Sequence, residues 1–321
     1  MRKHLVHESV LLKEVTRWLQ PSSGVFIDCT LGAGGHAEAI LEASPLTEVV
    51  GLDRDLRAIE IASNRLARFK ERFKAAKADF RDIASVAASL NLSSVRGVLA
   101  DLGVSSMQID EADRGFSFSA DAPLDMRMDQ SCGETASDII NRLDEKELAD
   151  LIFEYGEERA SRRVARAIVS EREKSPITTT ARLAAVVARA LRVRGRWRIH
   201  PATRVFQALR IAVNDELRSL EQFIPAAISI LESRGRLAII SFHSLEDRIV
   251  KRSFQRNAGR CICQPPHMGF SQMSESDVVC NRCGARKRIS ILTRKPVRPD
   301  SVEVERNPRS RSARLRVCEK I

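Results

Sequence analysis

The chain has 321 residues, 43% of them hydrophobic and 30% charged, with a formal net charge of +11. That composition fits a soluble globular protein with a proper core, large enough for one big domain or two modest ones. No apolar run approaches the ~18 residues of a membrane span, and the first residues lack the apolar stretch of a secretory signal, so no membrane partner and a cytoplasmic location are expected.

Residues 25–28 form a short apolar run that ends in Asp28 and leads into glycine-rich sequence. Residues 49–53, ending in Asp53, repeat that design, and residues 97–101, ending in Asp101, do so a third time. Helical patterns lie between them at 37–42 and 56–69, the second with Ile59, Leu66 and Phe69 able to share a face. Continuous apolar strands alternating with helices predict a parallel α/β sheet. Three strand-terminal acids then converge on one edge, where open α/β sheets bind ligands. A helix N-cap is the plainer role for any one of them, and it weakens when three sit at matching positions.

Asp28-Cys-Thr-Leu-Gly32-Ala-Gly34-Gly35-His36 is the sharpest local signal. Glycines after a strand let the backbone turn tightly and approach a ligand. Asp53 follows Gly35 at the spacing of an acid that binds ribose hydroxyls, so a nucleoside-containing cofactor is expected. A ligand-free strand–helix turn is the alternative, and the loop alone does not separate NAD from S-adenosylmethionine. Asp79-Phe80 follows a further strand candidate, where an acid–aromatic pair can hold an adenine. Residues 107–129 mix Phe116, Phe118, Met126 and Met128 with five aspartates and read as a lid or substrate loop.

From about 134 to 213 only helix patterns occur, at 145–155, 158–171, 181–191 and 200–213. Pro225 is expected to break or kink the helix that follows. Strand character returns at 235–242, with further candidates at 288–293 and 314–318. The architecture expected is a discontinuous α/β domain, 1–106 and 214–321, interrupted by a helical substrate-binding insertion, 107–213, whose lid is 107–130.

The charge is uneven. Residues 286–321 hold 12 Lys or Arg against 4 Asp or Glu, and residues 189–204 hold six arginines and no acid. Such local excess is the footprint of a polyanion partner or, equally, a solvated face. Trp197 beside those arginines suits RNA stacking, although a lone Trp is more often buried. His200 orders a helix start or, with Arg204, grips phosphate. His243, leaving a strand at the ligand edge, either lines the pocket or is structural.

Of seven cysteines, Cys29, Cys132 and Cys318 stand apart. Cys261-x-Cys263 and Cys280-x-x-Cys283 form a zinc-knuckle-like insert over residues 260–286, suited to a structural tetrahedral zinc, with His267 as a weaker ligand. Redox or incidental cysteines are the alternative.

The segments HESVLLKEV (7–15), DCTLGAGGHAEAIL (28–41), LDRD (52–55), DLGVSS (101–106), RGFSFSADAPLDMRMD (114–129), EYGEER (154–159), HPATRVFQALRIAVNDEL (200–217), ISFHSLEDRIVK (240–251) and NPRSRSARLRV (307–317) resemble the RsmH (MraW) family of bacterial methyltransferases. The resemblance runs nearly end to end. It implies a class I S-adenosylmethionine-dependent methyltransferase fold, α/β and Rossmann-like, with an inserted all-helical domain. It implies methylation of the exocyclic amino nitrogen of a cytosine in the decoding region of 16S ribosomal RNA, which is taken to be met within the small ribosomal subunit; whether the enzyme is a homodimer stays open. Cofactor contacts are implied for Gly34, Gly35, His36, Asp53, Phe80, Asp101 and Gln108. Met107 departs from the proline expected there. Asp101, helped by Ser105, is the expected proton acceptor, with His243 a further candidate at the reaction site. The rival readings are an NAD-dependent oxidoreductase and a non-catalytic RNA- or ribosome-binding module with a vestigial cofactor site.

Overall fold

The computed structural model describes residues 9–92, 94–191, 200–263 and 279–321. They form two compact units, one comprising Met1–Gly103 with Leu217–Ile321 and the other Val104–Glu216.

The first unit is built on seven strands: β1 (Gly24–Asp28), β2 (Thr47–Asp53), β3 (Phe73–Lys77), β4 (Val95–Asp101), β5 (Leu231–Ser241), β6 (Ile289–Ile291) and β7 (Arg314–Lys320). Their spatial order is β3-β2-β1-β4-β5-β7-β6. The first five run parallel, and β7 is antiparallel to both its neighbours. Strand order reverses between β1 and β4, the place where doubly wound sheets bind ligands.

The apolar runs are continuous because both faces of the sheet are buried. Ile27, Val98, Ala100, Leu237 and Ile239 point to one core, where they meet Phe223, Ile224 and Ala227 of helix Glu216–Ile230 and Phe254 of helix Ser244–Asn257. Phe26, Leu99, Ala238 and Ile240 point the other way, towards Leu19 of helix Leu12–Leu19, Ile40 of helix Gly35–Ala43 and Leu66 of helix Leu56–Leu66.

Helix Glu216–Ile230 runs on through Pro225 rather than breaking there. Proline removes one backbone hydrogen bond and crowds the preceding turn. Here burial of Phe223, Ile224, Ala227 and Ile228 on one face outweighs that cost.

The second unit packs helices Ala136–Arg142, Glu145–Gly156, Ser161–Arg172, Thr180–Leu191 and Thr203–Asn214 around their own core. Residues 107–129, expected as a loop, are partly regular and firmly anchored. Helix Ser106–Asp110 and a 3-10 turn at Ala112–Arg114 open the segment. Buried Arg114 donates to the carbonyls of Arg127 (3.1 Å) and Met128 (2.8 Å). Leu124 and Met126 lie in the helical core, and the Phe118 ring packs on His200 and Phe206. Phe116, Phe118 and Met126 thus pack in or against that core.

Candidate active site

The carboxyl edge of the parallel strands collects acids. Asp28, Asp53 and Asp101 are the last residues of β1, β2 and β4. Glu246 joins them from the first turn of helix Ser244–Asn257, which follows β5.

Each acid has a distinct set of partners. Asp53 accepts the Gly32 N–H at Oδ2 and the Asp55 N–H at Oδ1, both at 2.9 Å. The carboxylate therefore fixes the glycine turn that begins the next helix, and burial raises its pKa. Asp28 accepts the Thr30 N–H at 3.2 Å, while its second oxygen is buried without a hydrogen-bond partner. Burial, with a smaller push from Asp53, raises the Asp28 pKa to about 7. The Asp101 backbone N–H donates to Thr30 Oγ1 at 2.6 Å, and its Oδ1 is likewise buried and unpartnered. Burial, then the charges of Asp28, Glu246 and Glu303, holds the Asp101 carboxyl well above the usual carboxylate range. Buried acids with orphaned oxygens cost free energy unless a ligand supplies donors or positive charge.

The turn itself is tight for a reason. Gly34 caps helix Gly35–Ala43 at φ +79°, and a Cβ there would lie 3.1 Å from Leu66 and 3.2 Å from Ala62. Only glycine combines that backbone with that closeness. Gly35 has no such backbone constraint, yet a Cβ would run into the Ser9 hydroxyl. His36 is buried, donates from Nε2 to the Val10 carbonyl at 2.9 Å, and places Nδ1 4.0 Å from Asp101 Oδ2. A carbonyl only accepts, so Nε2 carries the proton in this arrangement.

Phe80 is half-buried, edge-on to Phe223 at 5.2 Å, with the Arg54 guanidinium 5.7 Å from its ring centre. Its neighbour Asp79 is occupied by Arg54 and Arg81.

His243 caps helix Ser244–Asn257 in a reciprocal box with Glu246. Its Nδ1 accepts the Glu246 N–H at 3.4 Å, and Glu246 Oε2 accepts the N–H groups of Phe242 (2.8 Å) and His243 (3.3 Å). His243 Nε2 lies 3.2 Å from Glu246 Oε1 without hydrogen-bond alignment. Gly34, Gly35, His36, Asp53, Phe80, Asp101 and His243 all lie in the first unit. Ser105 and Gln108 belong to the other, where they cap helix Ser106–Asp110 reciprocally: Gln108 N–H to Ser105 Oγ at 3.2 Å, Ser105 N–H to Gln108 Oε1 at 3.0 Å. His200 accepts the Ala202 N–H on Nδ1 at 3.2 Å, ordering the turn before helix Thr203–Asn214. Arg192, Arg194, Arg196, Trp197, Arg198 and His267 lie outside the described residues.

Sequence reasoning passed over Asp28, Thr30 and Glu246 as site residues. Asp28 was visible as one of three strand-ending acids. Thr30 and Glu246 gave no signal, because their roles depend on contacts between separate strands and loops.

The four clustered cysteines form a second constellation. Their sulfur atoms all lie within 4.8 Å of one another, with Cys261–Cys280 at 3.5 Å and Cys261–Cys283 at 3.9 Å. A regular tetrahedron with zinc–sulfur bonds of about 2.3 Å has edges of about 3.8 Å, so the donor set fits zinc. Backbone N–H groups of Cys283 and Arg282 pull the Cys280 thiol down to about 6, while its sulfur neighbours, Cys283 foremost, push Cys263 up to about 12.

A model of the MraW methylase family matches residues 4–321. The protein named ribosomal RNA small subunit methyltransferase H from Geotalea uraniireducens (strain Rf4) is 50% identical over 319 residues, covering 98% of each chain. Its namesake from Carboxydothermus hydrogenoformans is 47% identical over 316 residues, again 98% of each chain. A third, from Anaeromyxobacter sp. (strain Fw109-5), is 49% identical over 324 residues and the full length of both. Among solved structures, an rRNA methylase from Streptococcus thermophilus matches at a TM-score of 0.40 and 11% identity, over 100% of this chain and 99% of that one.

Proposed function

The chain belongs to the MraW methylase family, and we propose that it is a cytoplasmic enzyme that methylates the exocyclic N4 amino group of a decoding-region cytidine of 16S ribosomal RNA, within the small ribosomal subunit, using S-adenosylmethionine. The observation that carries the choice of cofactor is the acid cluster: Asp28, Asp53, Asp101 and Glu246 meet at one sheet edge, two of them with orphaned buried oxygens. A methyl donor bearing a sulfonium and an ammonium relieves that cluster. The pyrophosphate of a nicotinamide dinucleotide would add like charge to it.

The bound cofactor supplies one thing, an electrophilic methyl group on sulfur. The protein does the rest. Gly34 and Gly35 let the backbone come close, with His36 held behind them by Val10. Asp53 spends one lone pair of each oxygen on the turn and keeps the others for ribose hydroxyls. Phe80 offers a ring for stacking, and Gln108 an amide. A cytosine amino group is a poor nucleophile, so alignment and a proton acceptor are both needed. Asp101 is that acceptor: burial and the neighbouring acids Asp28, Glu246 and Glu303 make it a stronger base once ionised, and the positive charge of a bound methyl donor would favour its ionisation. Ser105 is proposed to help Asp101, and His243 to line the substrate pocket. Cys261, Cys263, Cys280 and Cys283 hold a structural zinc, a closed set with no open position for chemistry.

Nucleoside mass spectrometry of 16S rRNA from a strain lacking the gene tests the substrate. N4-methylated cytidine is expected to disappear and to return on complementation; an unchanged amount would overturn the assignment. For Asp101→Asn, kcat is expected to fall by about 100-fold or more. A raised cofactor KM at unchanged kcat would remove Asp101 as acceptor.

A further inference from the structure

The chemistry described above leaves the four-cysteine segment without a task. The segment is rooted in the sheet. Ala258 pairs antiparallel with Lys287, the Arg286 N–H donates to the Arg256 carbonyl at 3.1 Å, and the Arg288 N–H donates to the Asn257 carbonyl at 2.7 Å. One arm continues from helix Ser244–Asn257 and the other runs directly into β6 (Ile289–Ile291). Cys261 and Cys263 end the first arm, Cys280 and Cys283 begin the second, and their sulfurs meet. A bound metal therefore closes a short ribbon and fixes its direction.

The charge on its two described arms has one sign. Residues 251–263 and 279–299 contain no Asp or Glu. Arg252, Arg260, Arg282, Arg286, Lys287 and Arg288 are exposed, and among the described residues none of the six ion-pairs with an acid. Uncompensated cations on a small module repel one another, and a merely solvated face relieves such repulsion with interspersed acids. A polyanion relieves it better, and each phosphate neutralised releases counterions. A membrane surface would need apolar side chains beside the cations; among the described residues of these two arms, the one large exposed apolar side chain is Val279.

We propose that the four-cysteine ribbon is a metal-organised clamp for the RNA phosphate backbone, with Arg286, Lys287 and Arg288 as its main contacts. The clamp rests on the reading that RNA is the substrate. It assigns docking of that substrate to a part of the molecule separate from the acid cluster.

The test uses the full-length protein and a 16S rRNA transcript as probe. The triple variant Arg286→Ala/Lys287→Ala/Arg288→Ala is expected to raise the RNA Kd at least about tenfold near 100 mM salt and to lower the slope of log Kd against log salt by about 2 to 3. Its S-adenosylhomocysteine Kd should match wild type. Cys280→Ser is expected to take the zinc content from one per chain to none and to weaken RNA binding with it. Wild-type Kd and slope in the triple variant, a wild-type protein without metal, or tighter binding to anionic phospholipid vesicles than to RNA would each overturn the clamp. If wild type neither binds nor methylates the rRNA, the functional reading itself falls. If wild type does both and the triple variant is indistinguishable from it, the clamp alone falls.

Discussion

Asp28 is one of the residues whose titration the fold shifts strongly. It is fully buried, one oxygen has no partner, and its pKa stands near 7 against an ordinary 3.8. An acid with a higher pKa in the folded state favours that state below the unfolded value, and the contribution is lost as pH rises through the folded value. At about 1.36 kcal/mol per unit, the shift from 3.8 to about 7 corresponds to roughly 4 kcal/mol. Asp28→Asn removes the titration. In the ligand-free protein the variant should therefore gain stability on wild type, by up to about 4 kcal/mol, between pH 4 and pH 8. Urea midpoints across that range measure it, and a difference independent of pH would contradict the burial argument. The position of Asp28 was readable in the sequence as the end of an apolar run. Its orphaned oxygen was not, because that depends on what four separate strands and helices leave unfilled. Asp53 shows the same limit: its spacing from the glycines was legible, but its grip on the Gly32 N–H was not.

At the scale of elements, continuous apolar strands and the glycine turn were legible because they follow from local chain chemistry. Strand ends and the course of the chain through Pro225 were not, because packing against distant residues decides them. The segment 107–129 is more firmly built than its sequence suggests. Its aromatics and methionines read as site chemistry, yet Asn214 stitches the backbone into the helical core. Asn214 Nδ2 donates to the Met126 carbonyl and its Oδ1 accepts the Met128 N–H, both at 2.8 Å. Met126 sits at φ +65°, a conformation its own side chain disfavours, so the surroundings must hold it there. Asn214→Ala strands one buried and one part-buried backbone group and should destabilise the helical unit by about 2–4 kcal/mol. Chemical denaturation followed on that unit, for example through hydrogen exchange of helices Glu145–Gly156 and Thr203–Asn214, reads the loss. A cost below 1 kcal/mol would mean that Leu124 and Met126 alone anchor the segment.

Over the whole molecule, the change of rhythm after Asp101 and its return near residue 235 signalled a sheet interrupted by helices. The units of the structure divide near Gly103 and Glu216, a few residues from where the pattern changes, because helix Glu216–Ile230 begins as the chain leaves the helical unit. The edge order β5-β7-β6 had no local signal: β7 enters between strands that precede it in sequence, and only pairing chooses that place. The two units bury separate apolar clusters, and a separate core is what allows separate unfolding. Calorimetry is therefore expected to give a calorimetric enthalpy above the van't Hoff value, the mark of more than one transition. S-adenosylhomocysteine at about 100 times its Kd should stabilise by about 2.7 kcal/mol the transition that melts the sheet. The acid cluster lies wholly within that unit, so hydrogen exchange should show protection concentrated in β1, β2 and β4. Uniform protection of both units, with one two-state transition, would mean that their cores unfold as one.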